Sequence, residues 1–243
     1  MAEAAPPPAA GRAGAPPDKG AIRDAATVIL WRTGAEGPEV LMGTRGAAAA
    51  FMPNKVVFPG GAVDPADAHV PLAGLPGAAC LRRLADAPRA GVALHPEALL
   101  AAAIREVWEE TGLLLGSPGA WEPPHPDWHA FAVTGHRPDA AAFRFVFRAV
   151  TPPGRPRRFD ARFFLVPAAA VVGDADDFSR AAEELSHLHW IPLARVRAHD
   201  LPFITEVVLG EIAPLLAAGG AAQAGGVPLV TNDDPVSSVV RLR

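Results

Sequence analysis

Arg105-Glu106-Val107-Trp108-Glu109-Glu110-Thr111-Gly112-Leu113 is the stretch on which the reading of this 243-residue chain turns. Alanines fill the segment before it, Pro96 precedes it and Gly112 ends it, so a helix is predicted over Glu97 to Thr111, with Gly112 suited to its C-terminal cap. On that helix Glu106, Glu109 and Glu110 fall at i, i+3 and i+4, and their side chains are neighbours one turn apart. Like charges at this spacing repel and weaken an isolated helix. A hard divalent cation with oxygen ligands is the natural compensation.

A solvated acidic face, with Arg105 paired to Glu109 at i+4, would account for two glutamates. It does not account for Arg105, Glu106, Glu109, Glu110 and Gly112 fitting one template, with apolar Val107 and Leu113 in place. At roughly one residue in fifteen for each position, that coincidence is about one in a million per register. The match continues upstream, with Glu97 eight residues before Arg105 and Gly91 six before Glu97.

Taken together, these residues resemble a complete Nudix box, the signature of hydrolases that cleave a nucleoside diphosphate linked to another moiety. The resemblance implies a loop–helix–loop in which Glu106, Glu109 and Glu110 hold Mg²⁺ or Mn²⁺. It makes Arg105 and Glu97 a structural ion pair that steadies the helix and the loop before it. In that family the box glycine usually follows a strand ending in Gly-Gly. Here that pair closes Val56-Val57-Phe58-Pro59-Gly60-Gly61, more than thirty residues before Glu97. The box glycine is therefore either Gly91, or Gly61 with residues 62–96 as an insertion, and the second is preferred. Glycine lets a backbone carbonyl approach a metal or phosphate with no side chain in the way. Gly61 accordingly joins the metal set and Gly60 the substrate set. An ordinary turn after a strand is the plainer alternative for both.

Leu41-Met42-Gly43-Thr44-Arg45 precedes the Gly-Gly pair at a spacing similar to the signature of Nudix coenzyme A diphosphatases. The chain departs from that signature at Ala50, where a second arginine belongs, and at Asn54, where a glycine belongs. With the insertion before the catalytic helix, it looks more like the branch with an interrupted box, whose members are linked to coenzyme A esters. Arg45 enters the substrate set with Arg158 and Arg162, from the arginine-rich run Pro156 to Val166, because arginine forks suit phosphate oxygens. For the latter two, surface pairing to nearby carboxylates is an equal alternative. Glu183 and Glu184, ahead of the strand Leu185 to Leu193, offer a further carboxylate. Either would bind a second metal or take a proton from the attacking water, and an exposed Glu pair is the competing view. The catalytic set is thus Glu106, Glu109, Arg105 and Glu184.

Composition agrees with a soluble enzyme and little more; a cytoplasmic setting and a small-molecule partner are expected. A net charge of −4 leaves no broad basic surface for nucleic acid. The single Cys80 excludes a disulfide framework and a cysteine zinc site. Residues 1–20 are rich in Pro, Ala and Gly with no apolar core, which predicts a disordered tail and not a signal peptide. Strands are expected at Thr27 to Trp31, Val40 to Thr44, Val56 to Phe58, Phe143 to Val150 and Arg162 to Val166. A short helix is expected near Ala79 to Ala87. Leu201 to Ala218 reads as an amphipathic closing helix, interrupted by Glu206 and Glu211 and so unfit to span a membrane. Residues 219–243 read as a tail that begins flexible and re-docks through Val227 to Val230.

The expected fold is an α/β/α sandwich of Nudix type with a mixed sheet, residues 21–218 forming one domain, as a monomer or homodimer. Within the same chemistry, ADP-ribose and NADH are rival substrates. A non-catalytic Nudix-like nucleotide-binding module is the rival class, though such modules often lose box glutamates and all are present here.

Overall fold

The computed structural model describes residues 21–47, 52–93, 95–182, 184–220, 225–232 and 237–243. The tail at 1–20, Ala50 and Glu183 lie outside the described residues. A mixed nine-stranded sheet is the centre of the fold. Its longest strand, β1 (Ile22–Gly34), carries the apolar run Val28-Ile29-Leu30, which is wholly buried. Such a run suits a strand covered on both faces. A turn at residues 35–36 leads into β2 (Gly37–Arg45), which returns antiparallel to β1. The short strands β3 (Val56–Val57) and β4 (Gly60–Ala62) follow; β3 pairs with β2, and β4 pairs with Ala25–Thr27 of β1.

The segment expected as an insertion contains a 3-10 turn at Pro65–His69 and the helix α1 (Ala78–Ala85), ahead of α2 (Pro96–Thr111). Next, β5 (Gly116–Pro118) and β6 (His136–Pro138) form a separate two-stranded ribbon, with the single-turn helix α3 (His129–Ala132) in the excursion between them. The sheet resumes with β7 (Arg144–Val150) and β8 (Arg158–Pro167), antiparallel to each other, while β8 runs parallel to β1 over ten residues. Then come β9 (Leu185–Pro192), antiparallel to β2, and α4 (Phe203–Ala217). The last strands, β10 (Val227–Thr231) and β11 (Ser238–Leu242), extend the sheet beyond β7, so re-docking at Val227 goes further than expected and adds two strands.

Two cores sandwich the sheet, as expected for an α/β/α arrangement. On one face Ala26, Val28 and Leu30 of β1 pack with Leu99, Leu100, Ile104 and Val107 of α2. On the other, Ile29 of β1 packs with Val208, Leu209, Ile212 and Leu216 of α4. Each fully buried aliphatic side chain contributes about 1.5–3 kcal/mol, so these rows fix where α2 lies on the sheet. Gly112 closes α2 at φ 73°, and its N–H bonds to the Trp108 carbonyl; only glycine takes that left-handed cap without strain. No helix of the described residues is long and apolar enough to cross a membrane.

Candidate active site

Where α2 crosses β4, three glutamates, one arginine and two glycines meet. Gly60 donates its N–H to Glu110 Oε2 at 2.8 Å. A Cβ placed on Gly61 would lie 2.3 Å from Glu106 Oε1, so the carboxylate rests directly on that backbone and no side chain fits there. Gly60 is equally constrained, since a Cβ would meet the Ala26 carbonyl at 2.5 Å. Gly91 has nothing near it and is exposed. Of Gly61 and Gly91, Gly61 is the one that lies against a glutamate of α2.

Arg105 is 6 % exposed and is surrounded by acceptors. Its Nε and Nη2 donate to the two oxygens of Asp67 at 3.1 and 3.0 Å, in a bidentate fork. Nη2 also donates to the Ala62 carbonyl at 3.0 Å. Nη1 donates to Glu106 Oε1 at 2.9 Å and to Glu109 Oε2 at 3.1 Å. The expected Arg105–Glu97 pair does not form. Glu97 is exposed on the first turn of α2, and the buried Asp67 of the 3-10 turn takes its place. Asp67 was missed, although a signal was available: five residues separate it from Gly61, as five separate Gly91 from Glu97.

Burial raises all three glutamates above the usual carboxylate range. Glu106 is pushed up to about 7, first by burial and further by Glu109 and Glu184, with Arg105 opposing. Glu110 is pushed up to about 8, by burial and by Glu106 and Glu184, against the Gly60 N–H and Arg45. Glu109, less buried, is raised by burial and by Asp127 and Asp67, with Arg105 opposing. Glu110 Oε1 is buried and has no hydrogen-bond partner. A crowded set of buried carboxylates with an orphan oxygen lacks positive charge, and a hard divalent cation with oxygen ligands is the group that fits. As they stand, Glu106 and Glu109 are turned to Arg105, and among the described residues no three His, Cys, Asp or Glu side chains converge into a ready-made cage.

The segment after β8 returns across the C-terminal end of α2. The Ala182 N–H donates to the Glu109 carbonyl at 2.9 Å, and Arg180 packs over Gly112. Two residues on, Glu184 accepts from Arg45 Nη2 at 2.8 Å. Arg45 Nε is buried and unpartnered. The structure thus gathers Arg45, Gly60, Gly61, Arg105, Glu106, Glu109, Glu110 and Glu184.

Arg162 is not part of that group. It is 1 % exposed, and its Nη1 bonds to Asp24 and, at 2.9 Å, to the Asp160 carbonyl. Arg148 and Arg89 complete this internal network through the Asp160 carboxylate. A guanidinium enclosed in this way is closed to a phosphate, which corrects its placement in the substrate set. Arg158 lies four residues earlier on β8, level with Ile22 of β1, and its Nε donates to the Thr151 carbonyl at 3.0 Å. Asn54 has φ 61°, the left-handed conformation a glycine would supply and asparagine tolerates better than most residues.

The family model described as "NUDIX domain" matches residues 21–209. A Caenorhabditis elegans protein named as a nudix hydrolase, number 7, is 30 % identical over 183 residues, covering 70 % of this chain and 51 % of the relative. The chain thus spans about half the length of that curated relative. A crystal structure of a NUDIX hydrolase from Alicyclobacillus acidocaldarius aligns with TM-score 0.56 at 29 % identity, over 81 % of this chain and 96 % of the other.

Proposed function

The chain belongs to the NUDIX domain family, and from that premise we propose that it hydrolyses a pyrophosphate bond in a nucleoside diphosphate derivative with Mg²⁺ or Mn²⁺, coenzyme A or an acyl-coenzyme A being the substrate. The observation that carries this reading is the Glu110 carboxylate, one oxygen held by the Gly60 N–H and the other buried without a partner beside Glu106. Glu106, Glu109, Glu110 and the Gly61 backbone would hold the cation. When bound, it supplies charge neutralisation at the diphosphate and Lewis-acid polarisation of phosphorus.

The chain's own residues do the rest. Arg105 hydrogen-bonds Glu106 and Glu109 and so keeps both carboxylates beside Gly61 and Glu110. Arg45, whose guanidinium lies on Glu184, and Arg158 are the candidates for contact with a phosphate oxygen of the substrate. Water attacks phosphorus while Glu109 or Glu184 takes its proton, and the bridging oxygen leaves with the other phosphate. No covalent enzyme intermediate is needed. On coenzyme A the products are 3′,5′-adenosine bisphosphate and 4′-phosphopantetheine. The Leu41-to-Arg45 run and the glycine-like backbone at Asn54 support the coenzyme A class. The setting proposed is cytoplasmic, with a small-molecule partner.

The test is a hydrolysis panel with Mg²⁺ or Mn²⁺ on coenzyme A, an acyl-coenzyme A, ADP-ribose and NADH, products resolved by mass. Adenosine bisphosphate released in preference from the coenzyme A species is the expected result. Turnover confined to ADP-ribose or NADH would move the protein to another substrate class, and no turnover with any would contradict the hydrolase reading for these substrates.

A further inference from the structure

Two histidine rings meet on the face of the sheet that α4 covers. His189 of β9 lies opposite Met42 of β2, and Met42 belongs to the core that α4 closes. Residues directly opposite on paired strands share a face, so His189 is on the other side of the sheet from α2 and its glutamates. His199 follows the 3-10 turn Val196–Ala198, on the way into α4. The two ring centres are 5.7 Å apart and the planes are inclined at 55°.

Hydrogen bonding fixes which nitrogen of His189 is free. His189 Nδ1 lies 2.6 Å from the His187 carbonyl, and a carbonyl oxygen only accepts, so the proton of the neutral ring is on Nδ1. Nε2 is left with its lone pair. Histidines that bind a metal are set in this way, one ring N–H held by a carbonyl and the other nitrogen open. The ring of His199 has no hydrogen bond or ion pair among the described residues, and its contact with His189 is through the rings alone.

The spacing suits an ion between the rings. Zn²⁺ binds imidazole nitrogen at about 2.0–2.1 Å, hence about 3.2 Å from the ring centre, and two such rings at a tetrahedral angle have centres about 5.2 Å apart. The present separation differs from that by about 0.5 Å, within the reach of small side-chain rotations. Both rings stand on fixed backbone, His189 two residues before buried Ile191 and His199 between buried Val196 and Leu201. His189 is exposed and His199 half-buried, so an ion has access. Asp200, the adjacent carboxylate, is engaged by Lys55. Two imidazoles completed by water select Zn²⁺, Cu²⁺ or Ni²⁺, whereas Mg²⁺ and Mn²⁺ prefer oxygen.

We propose that His189 and His199 form a site for a nitrogen-seeking divalent ion, with Zn²⁺ as its probe, separate from the carboxylate site on α2 and joining β9 to the segment that enters α4. The test is calorimetric titration of Zn²⁺ into the full chain, free of any histidine tag, in excess Mg²⁺. One Zn²⁺ per chain is expected, with a raised Tm because the ion binds the folded state. His189→Gln and His199→Gln should each weaken binding about tenfold or more and abolish the rise in Tm. His125→Gln and Glu106→Gln should bind Zn²⁺ as the parent does. Long-range proton–nitrogen spectra of the parent give a readout independent of any variant's folding: Zn²⁺ should shift Nε2 of His189 while Nδ1 stays protonated. No binding in the parent, parental affinity in both histidine variants, loss confined to Glu106→Gln, or shifts confined to other histidines would each overturn the inference.

Discussion

Replacing Asp67 by alanine separates two accounts of how the catalytic helix is anchored. Asp67 is buried and accepts three hydrogen bonds, two from Arg105 and one from the Asp64 N–H at 2.8 Å. Removing one partner of a buried ion pair costs about 3–5 kcal/mol because the other charge is left uncompensated. Here Arg105 keeps Glu106, Glu109 and the Ala62 carbonyl, so the lower end, about 3 kcal/mol, applies. In a domain of this size that corresponds to a Tm lowered by about 6–12 °C. Glu97→Ala removes only an exposed first-turn acid, for which the helix dipole accounts for about 0.3–1 kcal/mol. Urea and thermal unfolding of the two variants beside the parent provide the comparison. Equal losses for both, or a loss below about 1 kcal/mol for Asp67→Ala, would show that Asp67 does not anchor Arg105.

Glu109→Gln should lower kcat by a hundredfold or more while thermal unfolding stays near that of the parent; unchanged turnover would remove Glu109 from the site. Gly61→Ala places a methyl group against the Glu106 carboxylate and should cut kcat about tenfold with little change in secondary structure by circular dichroism, a parental rate being the contrary result. Asp160 supplies the pH dependence. Burial alone would raise its carboxyl, but the hydrogen bond from Arg148 and the charges of Arg162, Arg148 and Arg89 outweigh burial and hold it below the usual carboxylate range. A carboxyl lowered on folding stabilises the fold above its unfolded value of about 4 and loses that contribution as pH falls through the folded value. Urea unfolding between neutral pH and pH 3 should therefore show a steeper acid loss in the parent than in Asp160→Asn, and equal slopes would contradict this.

Much of this arrangement was legible in the chain. Helix α2, the strands of β1, β2, β7 and β8, and the closing helix α4 carry their signals locally, in apolar runs, prolines and glycine caps. The glutamates were readable because i, i+3, i+4 spacing survives as a spatial relation on any helix. What escaped depends on contacts between distant segments. The partner of Arg105 is set by where the 3-10 turn at Pro65–His69 folds back, 38 positions away in sequence at Asp67. Arg162 reads as a phosphate ligand because an arginine fork suits phosphate oxygens, yet Asp24 of β1 and Asp160 of its own strand enclose it. Strand β4 is three small residues, and β11 has two adjacent exposed valines instead of an alternating pattern, so neither announces itself by periodicity; each is defined by its pairing with β1 or β10.

On the proposed reading the glutamates of α2 hold a divalent cation on which turnover depends. The most direct test is equilibrium binding of Mn²⁺, counted by electron paramagnetic resonance, in the parent and in Glu106→Gln and Glu110→Gln, with hydrolysis followed in the same samples. Saturable binding in the parent, lost in both folded variants together with turnover, is the predicted result. Equal Mn²⁺ binding in parent and variants, or hydrolysis that persists in excess chelator, would contradict it.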